Sequence, residues 1–296
     1  TDTLAKRAAE AIHATEIKDD KPFFLYVNPL APHEQIATPN CYLNYGFVKT
    51  VKPAPRHVGL SSGISFLGSM PPSFNEADLS DKPFRYPKLS STHIACIDNL
   101  FHTRLESLLS VDDLIGKITT TLNNNNELAE TVIVFTSDNG YMLGEHRLHG
   151  KVKVYEESIR LPLYMRLPDV GRQTIYRLVI NNDLTPTFLE LAGANADVEI
   201  DGRSLLPLIN DPTIQWRNGF LIETTSYSAI HTDDYVYVYL KGGGREYYDL
   251  NNDPYQLQNI GGSLRWETKS ALEKWRAELV ICKGAACQIA EDRPAI

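Results

Sequence analysis

A short run of β-branched and aromatic residues at positions 131–136, TVIVFT, constrains the fold of this chain more than any other segment. A continuous apolar run of this length predicts a buried strand, of the kind found in parallel sheets covered by helices. The run stops at residues 137–140, Ser-Asp-Asn-Gly. In an open α/β sheet, ligands bind outside the carboxyl ends of the strands. The sequence therefore predicts a functional site at Asp138 and Asn139.

Asp138 and Asn139 both present oxygen, the ligand atom that hard divalent cations such as Ca²⁺ prefer. Asp-Asn-Gly is also a favoured turn sequence, so a simple turn is the alternative interpretation of this tripeptide. A cationic side chain, Lys151, follows Gly150 in the next loop. Taken alone it is most simply interpreted as a solvated loop lysine, and the order of the surrounding motifs has to decide.

That order resembles the sulfatase family, which belongs to the alkaline-phosphatase-like superfamily. The central series comprises residues 138–140 (DNG), 144–147 (GEHR), 150–151 (GK), 155–160 (YEESIR) and 162–163 (PL). Similar segments lie at residues 21–33 (KPFFLYVNPLAPH), 183–187 (DLTPT), 201–207 (DGRSLLP) and 246–250 (EYYDL). Within the family, residues 53–56, 72–76 and 108–114 are similar to the arylsulfatase and N-acetylglucosamine-6-sulfatase branch. The resemblance covers nearly the whole chain.

The resemblance implies that Asp138 and Asn139 bind Ca²⁺, and that His33 and Lys151 are catalytic residues that also bind the substrate. His33 would donate a hydrogen bond to a sulfate oxygen or to the leaving group, which suits an imidazole near neutral pH. Lys151 would neutralise negative charge in the transition state. Without the family, His33 is more simply a loop-capping histidine. For His146 we expect a structural or supporting role.

One part of the sulfatase pattern does not occur in these 296 residues. Sulfatases carry a pair of aspartates after their first strand and a Cys/Ser-x-Pro-x-Arg motif, whose first residue becomes formylglycine. Neither is present here. We therefore expect the chain to be the C-terminal portion of a sulfatase, inactive alone, with formylglycine in the missing N-terminal part. Its own N-terminal fragment is then an expected partner.

The predicted fold is α/β: an alkaline-phosphatase-like mixed or parallel sheet flanked by helices over residues 1–214, with a strand at residues 22–28. A small antiparallel-sheet-and-helix subdomain is predicted over residues 215–296. Its signal is the alternation of valine and tyrosine at residues 235–240, followed by a glycine turn and a final helix.

The composition excludes some partners. A net charge of −8 argues against nucleic acid, because a protein that tracks phosphates carries a basic face. No apolar run approaches the roughly 20 residues that span a bilayer, so no membrane partner is expected. The substrate implied by the family is an aryl or sugar sulfate ester, and the implied compartment is extracellular, periplasmic or lysosomal. Cys282 and Cys287 are spaced for a local disulfide, but two unbonded thiols fit equally well.

Two other functions remain open. A phosphodiesterase or phosphonate hydrolase of the same superfamily would share the fold and the lysine, but it more often carries histidine where Asn139 stands. Alternatively, a truncated or degenerate chain would keep the fold as a binding surface without catalysis.

Overall fold

Helices alternate with short strands in a computed structural model that describes residues 1–18, 21–43 and 46–296. The helices are α1 (Asp2–Lys18), α2 (Ser91–Asn124), α3 (Glu156–Ile159), α4 (Leu184–Leu191), α5 (Leu206–Asn210), α6 (Trp266–Ile281) and α7 (Ala285–Glu291). The strands are β1 (Ile36–Leu43), β2 (Gly46–Thr50), β3 (Ile133–Thr136), β4 (Met142–Leu143), β5 (His149–Gly150), β6 (Leu163–Arg166), β7 (Gly219–Glu223), β8 (Tyr227–Thr232), β9 (Tyr235–Leu240) and β10 (Arg245–Asp249).

The long helix α2 is the backbone element on which the N-terminal half is built. The Ser90 side chain caps its start by accepting a hydrogen bond from the His93 amide at 3.3 Å. Its inward face buries Ile97 and Leu100 completely. A disulfide between Cys41 and Cys96 ties β1 to this helix, a pairing that the sequence did not predict.

The strand predicted from residues 131–136 is present as β3, but it is half-buried rather than buried, and its pairing is antiparallel rather than parallel. β3 pairs with β6 in antiparallel register, with Phe135 opposite Tyr164. The strand predicted at residues 22–28 is wrong, because these residues form no strand in the structure. Phe24 and Tyr26 are 73% and 77% exposed there. An apolar segment becomes a strand only when another backbone satisfies its hydrogen bonds, and no described segment does so here.

The C-terminal part is the predicted antiparallel sheet with a helix on it. Its strand order is β10-β9-β8-β7, and every neighbouring pair is antiparallel. Trp275 of α6 packs on one face, against Tyr237. The other face, with Val238, joins a buried cluster that includes Met142 and Val154 from the region of β4 and β5. The mixed α/β class is therefore confirmed, while the division at residue 214 stays a prediction.

Buried ion pairs and a second disulfide fix the end of the chain. Arg217 is fully buried and donates to both carboxylate oxygens of Asp183 and to Glu291 of α7. Cys282 and Cys287 are bonded, which decides the alternative left open by their spacing. Among the described helices, none is both long and apolar enough to cross a membrane.

Candidate active site

The turn after β3 is fixed by its contact with the short helix α3. The Gly140 amide donates to the Ser158 carbonyl at 3.0 Å, and the Tyr141 amide donates to the Glu157 carbonyl at 2.7 Å. A Cβ on Gly140 would lie 2.3 Å from the Glu157 carbonyl oxygen. Glycine is therefore required here for close approach of two backbones, which keeps Asn139 in a defined position.

Lys151 reaches this turn directly. Its Nζ donates to the amide oxygen Oδ1 of Asn139 at 3.1 Å. The approach depends on Gly150, whose φ of +92° lies in the region that favours glycine. The structure thus brings two of the four predicted site residues into contact. The Asp138 side chain is exposed beside them.

His33 is exposed at the end of a tight loop, where its amide donates to the Leu30 carbonyl at 2.8 Å. Its Nδ1 lies 2.9 Å from the backbone carbonyl oxygen of Glu34. Because a carbonyl only accepts, Nδ1 carries the hydrogen of this bond. The other ring nitrogen, Nε2, is then left for contact with a ligand.

The charges of His33 and Lys151 both act on the Glu34 carboxylate. Burial raises the pKa of Glu34, and the charges of Arg104, Lys49, His33 and Lys151 oppose that rise. The Oε1 atom of Glu34 is shut off from solvent and accepts no hydrogen bond from any described residue.

A buried polar network supports the loop that carries Lys151. The His146 ring is fully buried and stacks on Tyr155, with the ring centroids 3.9 Å apart. Its Nδ1 lies 2.6 Å from Oε2 of Glu76. The other oxygen of Glu76 lies 3.4 Å from Nζ of Lys82, which also donates to the Leu257 carbonyl at 2.7 Å. His146 therefore lies in the packing behind the loop.

The same network continues into the C-terminal sheet. The Tyr155 hydroxyl lies 3.4 Å from Oε2 of Glu246, and the Tyr248 hydroxyl donates to that same oxygen. Burial raises the pKa of Glu246, and hydrogen bonds from the two tyrosines and the charge of Lys82 oppose this rise. The sheet thus holds the loop through polar contacts as well as through the apolar cluster.

Comparisons with known proteins identify the family. The sulfatase family profile matches residues 1–194, and the profile of the N-sulphoglucosamine sulphohydrolase C-terminal region matches residues 144–279. The chain belongs to the sulfatase family. This confirms the resemblance inferred from the motifs.

Curated sulfatases resemble the chain over almost all of its length. An arylsulfatase of Volvox carteri is 30% identical over 97% of this chain and 52% of its own length. The sulfatase ppz1 of Metarhizium majus is 33% identical over 97% of this chain and 67% of its own length. An N-acetylglucosamine-6-sulfatase of Bos taurus is 27% identical over 97% and 56% respectively. The chain thus spans roughly half to two thirds of these relatives.

Solved structures show the same fold. A protein in complex with its substrate D-glucosamine-2-N,6-O-disulfate has a TM-score of 0.71 at 21% identity, over 99% of this chain and 72% of that one. The phosphonate monoester hydrolase of Agrobacterium radiobacter has a TM-score of 0.62 at 23% identity, over 94% and 59%. At these identities the likeness concerns the fold alone.

Asp138 and Asn139 fit part of a Ca²⁺ site. The exposed Asp138 carboxylate and the amide oxygen of Asn139 are hard oxygen ligands on adjacent residues, whereas Ca²⁺ takes six to eight oxygens. Among the described residues there is no group of three or more His, Cys, Asp or Glu side chains that could hold a metal ion. The described part of the chain would therefore offer two ligands of a larger set.

Sequence reasoning missed Glu34 and Arg104. Glu34 directly follows His33, so its position in the chain was a usable signal. Arg104 is a half-buried cation between apolar residues of α2. A charged residue that interrupts an apolar stripe is a usable signal of a functional position. Arg104 Nη1 donates to the Pro32 carbonyl at 3.3 Å, and the guanidinium lies over the Tyr141 ring.

The pKa of the Glu145 carboxyl group predicts how the free energy of unfolding depends on pH. Burial raises the pKa of Glu145 from 4.5 to about 7, and the charge of Glu157 adds to the effect. The folded carboxyl thus binds its proton more tightly than the unfolded one. Its stabilising contribution is complete below pH 4.5 and is lost as the pH rises towards 7.

Glu145→Gln removes this titration. Its free energy of unfolding relative to that of the wild type is therefore expected to rise by about 2 kcal/mol from pH 5 to pH 8. Urea unfolding at several pH values measures this difference, with the exposed Glu130→Gln as the control. A difference between Glu145→Gln and the wild type that stays constant with pH would contradict the assignment.

Proposed function

We propose that this chain supplies the part of a Ca²⁺-dependent sulfatase that holds the sulfate ester. The observation that carries the proposal is the 3.1 Å contact between Lys151 Nζ and Asn139 Oδ1, in a chain of the sulfatase family. A lysine ammonium beside a metal-binding oxygen is suited to an anionic group, since both the cation and the ammonium attract its oxygens. Asp138 and Asn139 would hold Ca²⁺, which would supply positive charge against the sulfate oxygens.

The roles of the other residues follow from their positions. Lys151 would bind an ester oxygen and neutralise the charge that develops as the sulfur–oxygen bond to the alcohol breaks. His33, protonated at Nε2, would donate its hydrogen to the departing alcohol oxygen. The bond from Nδ1 to the Glu34 carbonyl fixes the imidazole plane for that transfer.

We propose that the nucleophile comes from a segment that this sequence does not contain, the formylglycine segment of the family. The exposed Phe24 and Tyr26, which lie beside the predicted site in the chain, support a partner surface for such a segment. The N-terminal fragment of the same sulfatase is the proposed partner, and the chain alone is proposed to be inactive.

A sulfated sugar is the proposed substrate, with an aryl sulfate as the simplest test compound. The relative from Bos taurus is an N-acetylglucosamine-6-sulfatase, and the solved structure with the highest TM-score named above holds a sulfated glucosamine. The two disulfides fit an oxidising compartment, so we propose a secreted, periplasmic or lysosomal location.

Replacing Lys151 tests the proposed function. The assay uses the chain together with its N-terminal fragment and p-nitrophenyl sulfate as substrate. Lys151→Ala is expected to lower kcat about 10²-fold, the cost of removing one stabilising group from the transition state. Lys151→Arg should recover part of this loss, because it keeps the charge. The matched control is Lys88→Ala, a lysine that is also exposed but lies in another loop. Equal activities of Lys151→Ala and Lys88→Ala would contradict the role of Lys151.

The same preparation separates sulfatase from phosphonate hydrolase. Asn139 offers a hard amide oxygen, which favours Ca²⁺ over a transition metal. We expect hydrolysis of p-nitrophenyl sulfate to depend on Ca²⁺ and to exceed hydrolysis of a phenyl phosphonate ester. Faster hydrolysis of the phosphonate with Mn²⁺ would establish the rival function.

A further inference from the structure

We propose that Arg104 is a positioning residue that holds the His33 loop and the Asn139 turn together. The inference rests on the proposed function, since it concerns the same site. Arg104 lies on α2, between two segments that are more than 100 residues apart in the chain. Its guanidinium contacts both of them.

The first contact is with the His33 loop. Arg104 Nη1 donates to the carbonyl oxygen of Pro32 at 3.3 Å, and Pro32 directly precedes His33. A charged donor on a carbonyl is among the stronger hydrogen bonds of proteins. It restrains the peptide from which the imidazole projects.

The second contact is with the turn that carries the predicted metal ligands. Arg104 Cζ lies 4.4 Å from the centroid of the Tyr141 ring, a cation–π distance. Tyr141 follows Asn139 and Gly140, and its amide donates a hydrogen bond to the Glu157 carbonyl. The guanidinium therefore restrains the turn through the Tyr141 ring, while α3 restrains it through the Tyr141 amide.

Charge and rigidity make the contact effective. Burial lowers the pKa of Arg104, and the charge of the Glu34 carboxylate opposes this effect. The helix that carries Arg104 is itself fixed by the disulfide from Cys96 to Cys41 and by the buried Leu100. Because the helix is fixed, the contacts of Arg104 restrain the positions of both site segments.

The geometry requires arginine rather than any cation. A planar guanidinium stacks on an aromatic ring while one of its nitrogens donates in its own plane. A lysine ammonium can make one of these contacts well but not both. Arg104→Lys should therefore keep only part of the effect, whereas Arg104→Met should lose it.

Hydrogen exchange of the chain tests the contacts without any need for sulfatase activity. The reporters are the amides of His33 and Tyr141, both of which are hydrogen-bonded in the structure. In Arg104→Met, exchange in these two segments is expected to accelerate about tenfold, which corresponds to the loss of one cation–π contact and one charged hydrogen bond. Exchange in the C-terminal half of α2 should not change. Lys117→Met, an exposed change on the same helix, is the control and should leave both segments as in the wild type.

A second readout separates positioning from mere packing. The assay again uses the chain together with its N-terminal fragment and p-nitrophenyl sulfate. Arg104→Met should lower kcat about tenfold with a smaller change in KM, and Arg104→Lys should restore part of kcat. Unchanged exchange, faster exchange spread over all of α2, or local acceleration with unaltered kcat would each overturn the proposal. If no preparation cleaves the ester, the proposed function fails, and the exchange data alone still decide whether Arg104 holds the two segments.

Discussion

Replacing Lys82 by methionine is expected to lower the free energy of unfolding by about 3–5 kcal/mol, the cost of breaking a buried ion pair from one side. The Lys82 side chain is fully buried, with Nζ 3.4 Å from Glu76 and 3.2 Å from Asp81. Methionine would fill the space but leave the Glu76 carboxylate without its cation. Because Glu76 contacts His146, the loop that carries Lys151 should loosen as well.

Urea unfolding of purified protein measures this loss, and Lys88→Met is the matched control because that lysine is exposed. Adding Glu76→Gln to Lys82→Met should recover at least about 1 kcal/mol, since it removes the uncompensated charge. A loss of less than about 1 kcal/mol for Lys82→Met would show that the network contributes little to stability.

Gly140→Ala is expected to lower the free energy of unfolding by about 3 kcal/mol, at the upper end of overpacking effects. The new methyl group would lie 2.3 Å from the Glu157 carbonyl oxygen and 2.8 Å from the Ser158 carbonyl carbon. Both obstacles are backbone, so the turn itself must move. Its displacement should break the contact between Asn139 and Lys151 and weaken catalysis together with stability.

Gly116→Ala is the control for this change, because a Cβ at that position in α2 meets nothing within 4 Å. It should raise stability by roughly 0.5–1 kcal/mol, the usual gain from alanine in a helix. If Gly140→Ala matched Gly116→Ala in urea unfolding, the close packing of the turn on α3 would be disproved.

The parts of the site that follow one another in the chain were accessible from the sequence. The β3 strand, the turn at Asn139 and Gly140, and the glycine before Lys151 are local patterns with local causes. The structure adds a further reason for glycine at position 140, the close approach of its turn to the backbone of Glu157 and Ser158.

Features that depend on distant partners could not be predicted. Lys82 and His146 are linked through Glu76, and the sequence around each of these three residues does not indicate its partners. The same holds for Arg104 and Tyr141, and for the disulfide between β1 and α2. The mistaken strand at residues 22–28 has the same origin, since a strand depends on its neighbour as well as on its own sequence.

The most direct test of the account is a crystal structure of the protein with Ca²⁺ and inorganic sulfate. We predict a cation at about 2.3–2.6 Å from both the Asp138 carboxylate and the Asn139 amide oxygen. A sulfate beside it should lie within hydrogen-bond distance, about 3 Å, of Lys151 Nζ and His33 Nε2. A cation bound away from Asp138 and Asn139, or a sulfate that contacts neither Lys151 nor His33, would contradict the proposed site.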